Sequence, residues 1–206
     1  GHKFIKGIEK KNKKGDAAFD AGKYEEAIGN WWQAINIDGT HIAFFDDDDL
    51  LTSTWVEEFH KAGVLHPDNI LRAQVGTLWS QRVFNESNME QVIQIAEPTA
   101  EYHSTYSHID HLLVSQTPFM SLCFPMSLFE DLGLMADENL AVCEDWDLLL
   151  RASNVLEVID IPFVTSFYRR WIGQETSYSL HAAQVWQESE SAVLAKLSDR
   201  SEEHTS

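Results

Sequence analysis

HIAFFDDDDL, residues 41–50, is the stretch on which the reading of this chain turns. Ile42, Ala43, Phe44 and Phe45 form a short apolar run of the length and composition of a buried strand. The run ends abruptly in Asp46, Asp47, Asp48 and Asp49. Four adjacent carboxylates repel one another, and they are tolerated where water or a divalent cation neutralises them. Alternate residues of an extended chain point the same way, so Asp46 and Asp48 can converge on one point while Asp47 faces elsewhere. Hard oxygen ligands of that kind suit Mg2+ or Mn2+, which in turn grips a diphosphate. The strand end of an open α/β sheet is also where ligands usually bind. The plainer alternative is a solvated acidic turn.

Downstream of the aspartates, strands and helices alternate. TWVEEFHKA (54–62) reads as a helix with Trp55, Val56 and Phe59 on one face and Thr54 as its N-cap. Residues 70–95 read as several strands, LRAQVGTLWS and QVIQI among them. Residues 97–117, with Pro98 and three histidines, read as a long loop or lid. MSLFEDLG (126–133) reads as a short helix stopped by Gly133. A further helix is expected over 145–153, a strand over 155–168 that Pro162 breaks or brings to an edge, and an amphipathic helix over 180–197. The alternation predicts an α/β domain.

Upstream, Tyr24, Ala27, Ile28, Trp31, Ala34 and Ile35 are spaced as on a helix, so residues 15–37 are expected to be helical, with Asp38-Gly39 as the stop. This stretch resembles a single tetratricopeptide repeat, with Gly15, Gly22, Tyr24, Ala27 and Ala34 in the expected places. Such repeats need about three copies to bury a continuous core. The alternative is an amphipathic helical pair packed on the next domain.

A second acidic group, Glu144, Asp145 and Asp147, precedes the apolar run Leu148-Leu149-Leu150 and Arg151. Carboxylates at a helix start interact favourably with its dipole. That dipole is expected to hold them ionised at neutral pH, as a general base requires. Plain N-capping is the alternative. Cys143 beside them lacks a basic neighbour and reads as a small buried thiol rather than a nucleophile. His103, His108 and His111 carry spacings that could suggest zinc, but no matching fourth ligand lies near them in sequence.

Taken together, HIAFFDDDDL and CEDWDLLLRAS, in this order and about a hundred residues apart, resemble glycosyltransferase family 2. PMSLFEDLGLMADENL before the second motif and VTSFYRRW after it agree with that family, and the resemblance covers roughly residues 39–178. It implies a GT-A-like mixed sheet flanked by helices and an inverting transfer of sugar from a nucleotide-sugar donor to a glycan or similar hydroxyl acceptor. On the same resemblance, Asp48 ligates the Mn2+ or Mg2+ on the donor diphosphate. Asp46 contacts the donor ribose or the metal shell, Asp47 belongs to the donor site, and Arg169 and Arg170 supply positive charge. Asp145 is the implied catalytic base, with Glu144 positioning it or the acceptor. Two departures stand out. Trp171 occupies a position where many members carry a His, and residues 1–38 hold nothing like the family's first strand and base-binding turn. The nucleotide-binding half is therefore expected to be incomplete. The expected organisation is a helical segment 1–38, the transferase-like domain 39–178, a C-terminal helix 179–199 and a non-native tail 200–206. A relic domain serving as a non-catalytic interaction protein is the main alternative, and a divalent-metal phosphohydrolase the lesser one.

Composition narrows the field. The chain of 206 residues is 44% hydrophobic and 23% charged, an ordinary globular balance. Its formal net charge of -18 repels phosphate backbones and anionic lipid, so neither nucleic acid nor more than peripheral membrane contact is expected. Six of the 15 Lys and Arg lie within residues 1–14, leaving the remainder more acidic still. Two cysteines, Cys123 and Cys143, are too few for a disulfide scaffold, and a cytoplasmic setting is expected.

Overall fold

The structure is a computed structural model that describes residues 32–37, 39–46, 49–173 and 183–203. Its centre is a seven-stranded mixed sheet, so the α/β class expected from the alternation holds. The strands are β1 (Trp32–Ile37), β2 (His41–Asp46), β3 (Leu50–Leu51), β4 (Ile70–Phe84), β5 (Glu90–Gln94), β6 (Leu122–Pro125) and β7 (Val158–Trp171). The helices are α1 (Trp55–Leu65), α2 (His108–His111), α3 (Met126–Glu130), α4 (Glu144–Ser153) and α5 (Ala183–Glu203). Across the sheet the order is β1-β2-β6-β4-β7-β3, with β5 paired to the outer half of β4.

Strand directions follow from the pairings. β6 is antiparallel to both β2 and β4, and β4 is parallel to β7. The strands β2, β4 and β7 therefore run the same way, and β4 and β7 continue well beyond the level at which β2 ends. The apolar runs are buried on both faces, as expected of interior strands. On one face Ile42, Phe44, Ile70, Leu122 and Phe124 pack with Leu128 and Phe129 of α3 and Leu148, Leu149 and Ala152 of α4. On the other, Ala43, Leu71, Ala73, Cys123 and Ile161 pack with Trp55 and Phe59 of α1.

Residues 32–37 correct the sequence reading. They are a strand, not the end of a helix, and pair antiparallel with β2 from Trp32↔Asp46 to Ile37↔His41. Gly39, read with Asp38 as a helix stop, instead lies in a turn just before β2, at φ +76. That positive φ is what a short hairpin loop demands and what glycine supplies. Ala34, placed in the repeat-like pattern, thus sits in the sheet, while residues 15–31 lie outside the described residues. Pro162 occurs where β7 bulges against β4: Ala73 pairs with Ile161, but the next residue, Gln74, pairs with Val164. The break expected at Pro162 is this bulge, in the part of β7 that pairs with β4 alone among the described strands. Thr54 does precede α1, yet its side chain makes no capping hydrogen bond. Helix α5 runs on through Glu203, past the expected end at 199.

Candidate functional site

β2 ends in Asp46. The carboxylates of Asp46, Asp47 and Asp48 fall outside the described side chains. Asp49 is buried, and its Oδ1 accepts a hydrogen bond of 2.7 Å from the backbone N–H of Arg169. Asp49 is thereby fastened to β7, and Leu50-Leu51 continue as β3 along β7.

Helix α4 carries the second motif on the sheet face that Ile42 and Phe44 line. Its C-terminus passes through residues 154–157 into the start of β7, so the helix descends along the sheet face and its N-terminus lies toward the C-terminal ends of β2 and β4. Leu148 and Leu149, one turn in, pack in the same cluster as Phe44, two residues before Asp46. Cys143 precedes the helix in a left-handed conformation, φ 69, and turns the chain sharply into Glu144.

The three acidic residues of this turn have different surroundings. Asp147 is 1% exposed and is held by two cations: Arg151 Nε donates to Oδ2 at 2.8 Å, and Lys196 Nζ of α5 donates to Oδ1 at 2.8 Å. Lys196 also donates to Asp137, whose carboxyl falls to about 2 chiefly because of that bond. Asp145 Oδ1 accepts from the Trp146 N–H at 2.7 Å, and its carboxylate also accepts from its own backbone N–H. Burial first, and the neighbouring Glu144 second, raise its carboxyl to about 7. Burial raises Glu144 as well. The expectation that the helix dipole holds this pair ionised is corrected here, because desolvation and mutual repulsion outweigh it. Cys143 is pushed up to about 12 by burial and by the same carboxylates, which agrees with an inert thiol.

Arg169 and Arg170 stand farther along β7, on a ribbon that β4 and β7 continue beyond the core. Arg169 lies 5.0 Å from the Trp171 ring centroid, and Arg82 of β4 lies 4.7 Å from the same ring. On the opposite face of the strand Arg170 approaches Trp79 and Tyr168 and pairs with Glu101 at 3.4 Å. Neither Arg169 Nε nor Arg170 Nε donates to an acceptor among the described residues, so both guanidinium groups retain hydrogen-bonding capacity. Arg82 is the cation that the sequence reading missed. Its signal was the alternation in LWSQRVF, which puts Arg82 on the face of Trp171.

The 97–117 segment is tied down by a second group absent from the sequence reading. Arg72, 2% exposed in β4, pairs with Asp160 of β7 at 2.5 Å and donates to Thr117 Oγ1 and the His103 carbonyl. Asp160 Oδ2 in turn accepts from the Tyr106 N–H at 2.7 Å. His111 Nδ1 donates to the Ser107 carbonyl, leaving Nε2 to accept from Thr117 Oγ1. A neutral imidazole satisfies this network, and burial lowers the His111 pKa accordingly. The histidine loop is thus a hydrogen-bonded cover over β4 and β7. No group of three His, Cys, Asp or Glu side chains that could hold a metal occurs among the described residues, a set that excludes the Asp46–Asp48 carboxylates. Nor is any described helix long and apolar enough to cross a membrane.

No family model, curated protein or solved structure matches the chain.

Proposed function

We propose that this chain is a metal-dependent inverting glycosyltransferase domain similar to family 2, acting on a nucleotide-sugar donor and a glycan-type hydroxyl acceptor. The observation that carries the proposal is Asp145. It is a half-buried carboxylate raised to about 7 beside Glu144 at the start of α4. A general base works best with a pKa near the operating pH. Asp145 takes the proton of the acceptor hydroxyl while that oxygen attacks the anomeric carbon. The bond from that carbon to the diphosphate oxygen breaks, the nucleoside diphosphate departs, and the centre inverts. Glu144 orients the acceptor, Asp46 and Asp47 serve the donor, and Asp48 with Asp46 holds the divalent ion. When bound, Mn2+ or Mg2+ supplies neutralisation of the departing diphosphate. Arg169 and Arg170 add cationic donors along β7.

One observation favours the second reading, a non-catalytic relic. The outer neighbour of β2 is antiparallel β1, so the side on which a preceding nucleotide-binding half would attach is already paired. Titration calorimetry of the full chain with UDP, GDP, CDP and dTDP, with and without Mn2+, separates the two. The transferase reading expects one nucleotide to bind only with metal, and that binding to vanish in Asp48→Ala. A folded chain that binds none of the four supports the relic reading.

A further inference from the structure

The outer half of β4 and all of β5 form a two-stranded ribbon whose far side is open. Gln94, Ile93, Val92, Gln91 and Glu90 of β5 pair with Ser80, Gln81, Arg82, Val83 and Phe84 of β4, and no other strand joins β5 among the described residues. Residues 86–101 are exposed throughout. The ribbon carries apolar side chains into solvent on both faces, with Phe84 at 66%, Met89 at 59%, Val92 at 48% and Ile93 at 41%. Native edge strands are usually protected by lysine, proline or a covering element. Here the only charge between Glu86 and Glu97 is Glu90, and Arg82 of the adjoining strand already pairs with it at 3.3 Å.

Backbone direction fixes what can dock. The N–H of Asn85 donates to the Met89 carbonyl and the N–H of Ile95 to the Trp79 carbonyl, so odd-numbered residues of this stretch face β4. The N–H and C=O groups of Glu90, Val92 and Gln94 consequently face outward. We infer that this edge pairs with β5 of a second copy of the chain, antiparallel about a two-fold axis through Val92. In that register Val92 faces Val92 of the other copy, and each Glu90 faces a Gln94. All three outward residues exchange both backbone bonds with their partners, giving six hydrogen bonds in an antiparallel ladder. No like charges stand opposite one another, which the pairing of strands in any copy-to-copy contact requires. On a chain of net charge -18, this is an edge whose single carboxylate is locally compensated. A two-fold contact is self-complementary and closes at the dimer.

The test is sedimentation equilibrium of the full chain across a concentration series, with two variants. The wild type is expected to pass reversibly from monomer to dimer. Val92→Lys, which sets two ammonium groups face to face, is expected to weaken the dimer by about tenfold or more with an unchanged circular dichroism spectrum. Val92→Cys is expected to form a disulfide dimer on mild oxidation, because the paired Cα atoms lie about 5.5 Å apart, within the disulfide range. Glu90→Cys places the two thiols about 14 Å apart along the ladder and is expected to stay uncrosslinked. A wild type that remains monomeric overturns the inference. So does a dimer indifferent to Val92→Lys, or equal crosslinking of the two cysteine variants. Should Val92→Lys fail to fold, the cysteine pair alone decides.

Discussion

Asp145→Asn should stabilise the protein, and by an amount that depends on pH. The wild-type carboxyl titrates near 7 in the fold against 3.8 in the unfolded chain, because burial and Glu144 disfavour its charge. Between those two values the native state holds a proton that the unfolded state has released. Native stability therefore falls as pH rises from about 4 to 7 and stays at the lower level above it. At about 1.4 kcal/mol for each pH unit, the ionised carboxylate costs the fold on the order of 4 kcal/mol at pH 8. Asparagine keeps an oxygen to accept from Trp146 N–H and carries no charge. Urea unfolding of wild type and variant should give similar stabilities near pH 4 and a gap of about 2–4 kcal/mol in favour of Asp145→Asn at pH 8, the lower figure allowing for coupling to Glu144. Catalysis should be lost in the same variant, since the amide takes up no proton. A gap that is constant across the range, or that favours the wild type at high pH, would refute the raised carboxyl and remove the main support for Asp145 as the base.

Three further outcomes follow from the packing. Gly76→Ala puts a Cβ 2.6 Å from Phe167 Cδ1, a clash between paired strands, and should cost about 1–3 kcal/mol in chemical denaturation. Arg72→Met leaves Asp160 without its buried cation and should cost about 3–5 kcal/mol, with Asp160→Asn in the same chain recovering part of the loss. Lys196→Met removes the bridge between Asp137 and Asp147, so hydrogen exchange along α5 should quicken before the β-sheet is affected. In the wild type that bridge should also weaken as pH falls from 3.8 toward about 2, where Asp137 protonates.

Much of the sheet was legible because its strands are buried on both faces. IAFF is an unbroken apolar run that suits an interior strand at that length, and LRAQV sets Leu71, Ala73 and Val75 at alternate positions. Residues 32–37 misled for the opposite reason. Ala34 and Ile35 extend a helical spacing set by residues 24–31, whereas the deciding signal was the Asp38-Gly39 turn between two β-prone segments. Local spacing is a weaker constraint than pairing with β2, which the chain satisfies first. The charged positions divide similarly. Glu144 and Asp145 were found from their place at a helix start. The role of Arg72 could not be read from its neighbours in sequence, because Asp160, Thr117 and His103 reach it only through the fold.

The same long-range pairing explains why two carboxylates only two residues apart behave so differently. Asp147 is almost wholly buried, and such a group must be compensated. It draws Arg151 from one turn ahead on its own helix and Lys196 from α5, and the remaining bonds of those two cations go to the Met135 carbonyl and to Asp137. Asp145 sits half-buried beside them with a backbone N–H and a second carboxylate as company. Compensation of Asp147 anchors α4 and α5 together, while burial first and Glu144 second lift the pKa of Asp145, which has no cationic partner among the described residues to offset them. A cation moved to Asp145 would lower that pKa and offset the cost of burying its charge. In the proposed transferase the helix start would then divide its work: Asp147, paired, fixes the helix, and Asp145, raised to about 7, exchanges a proton near neutral pH.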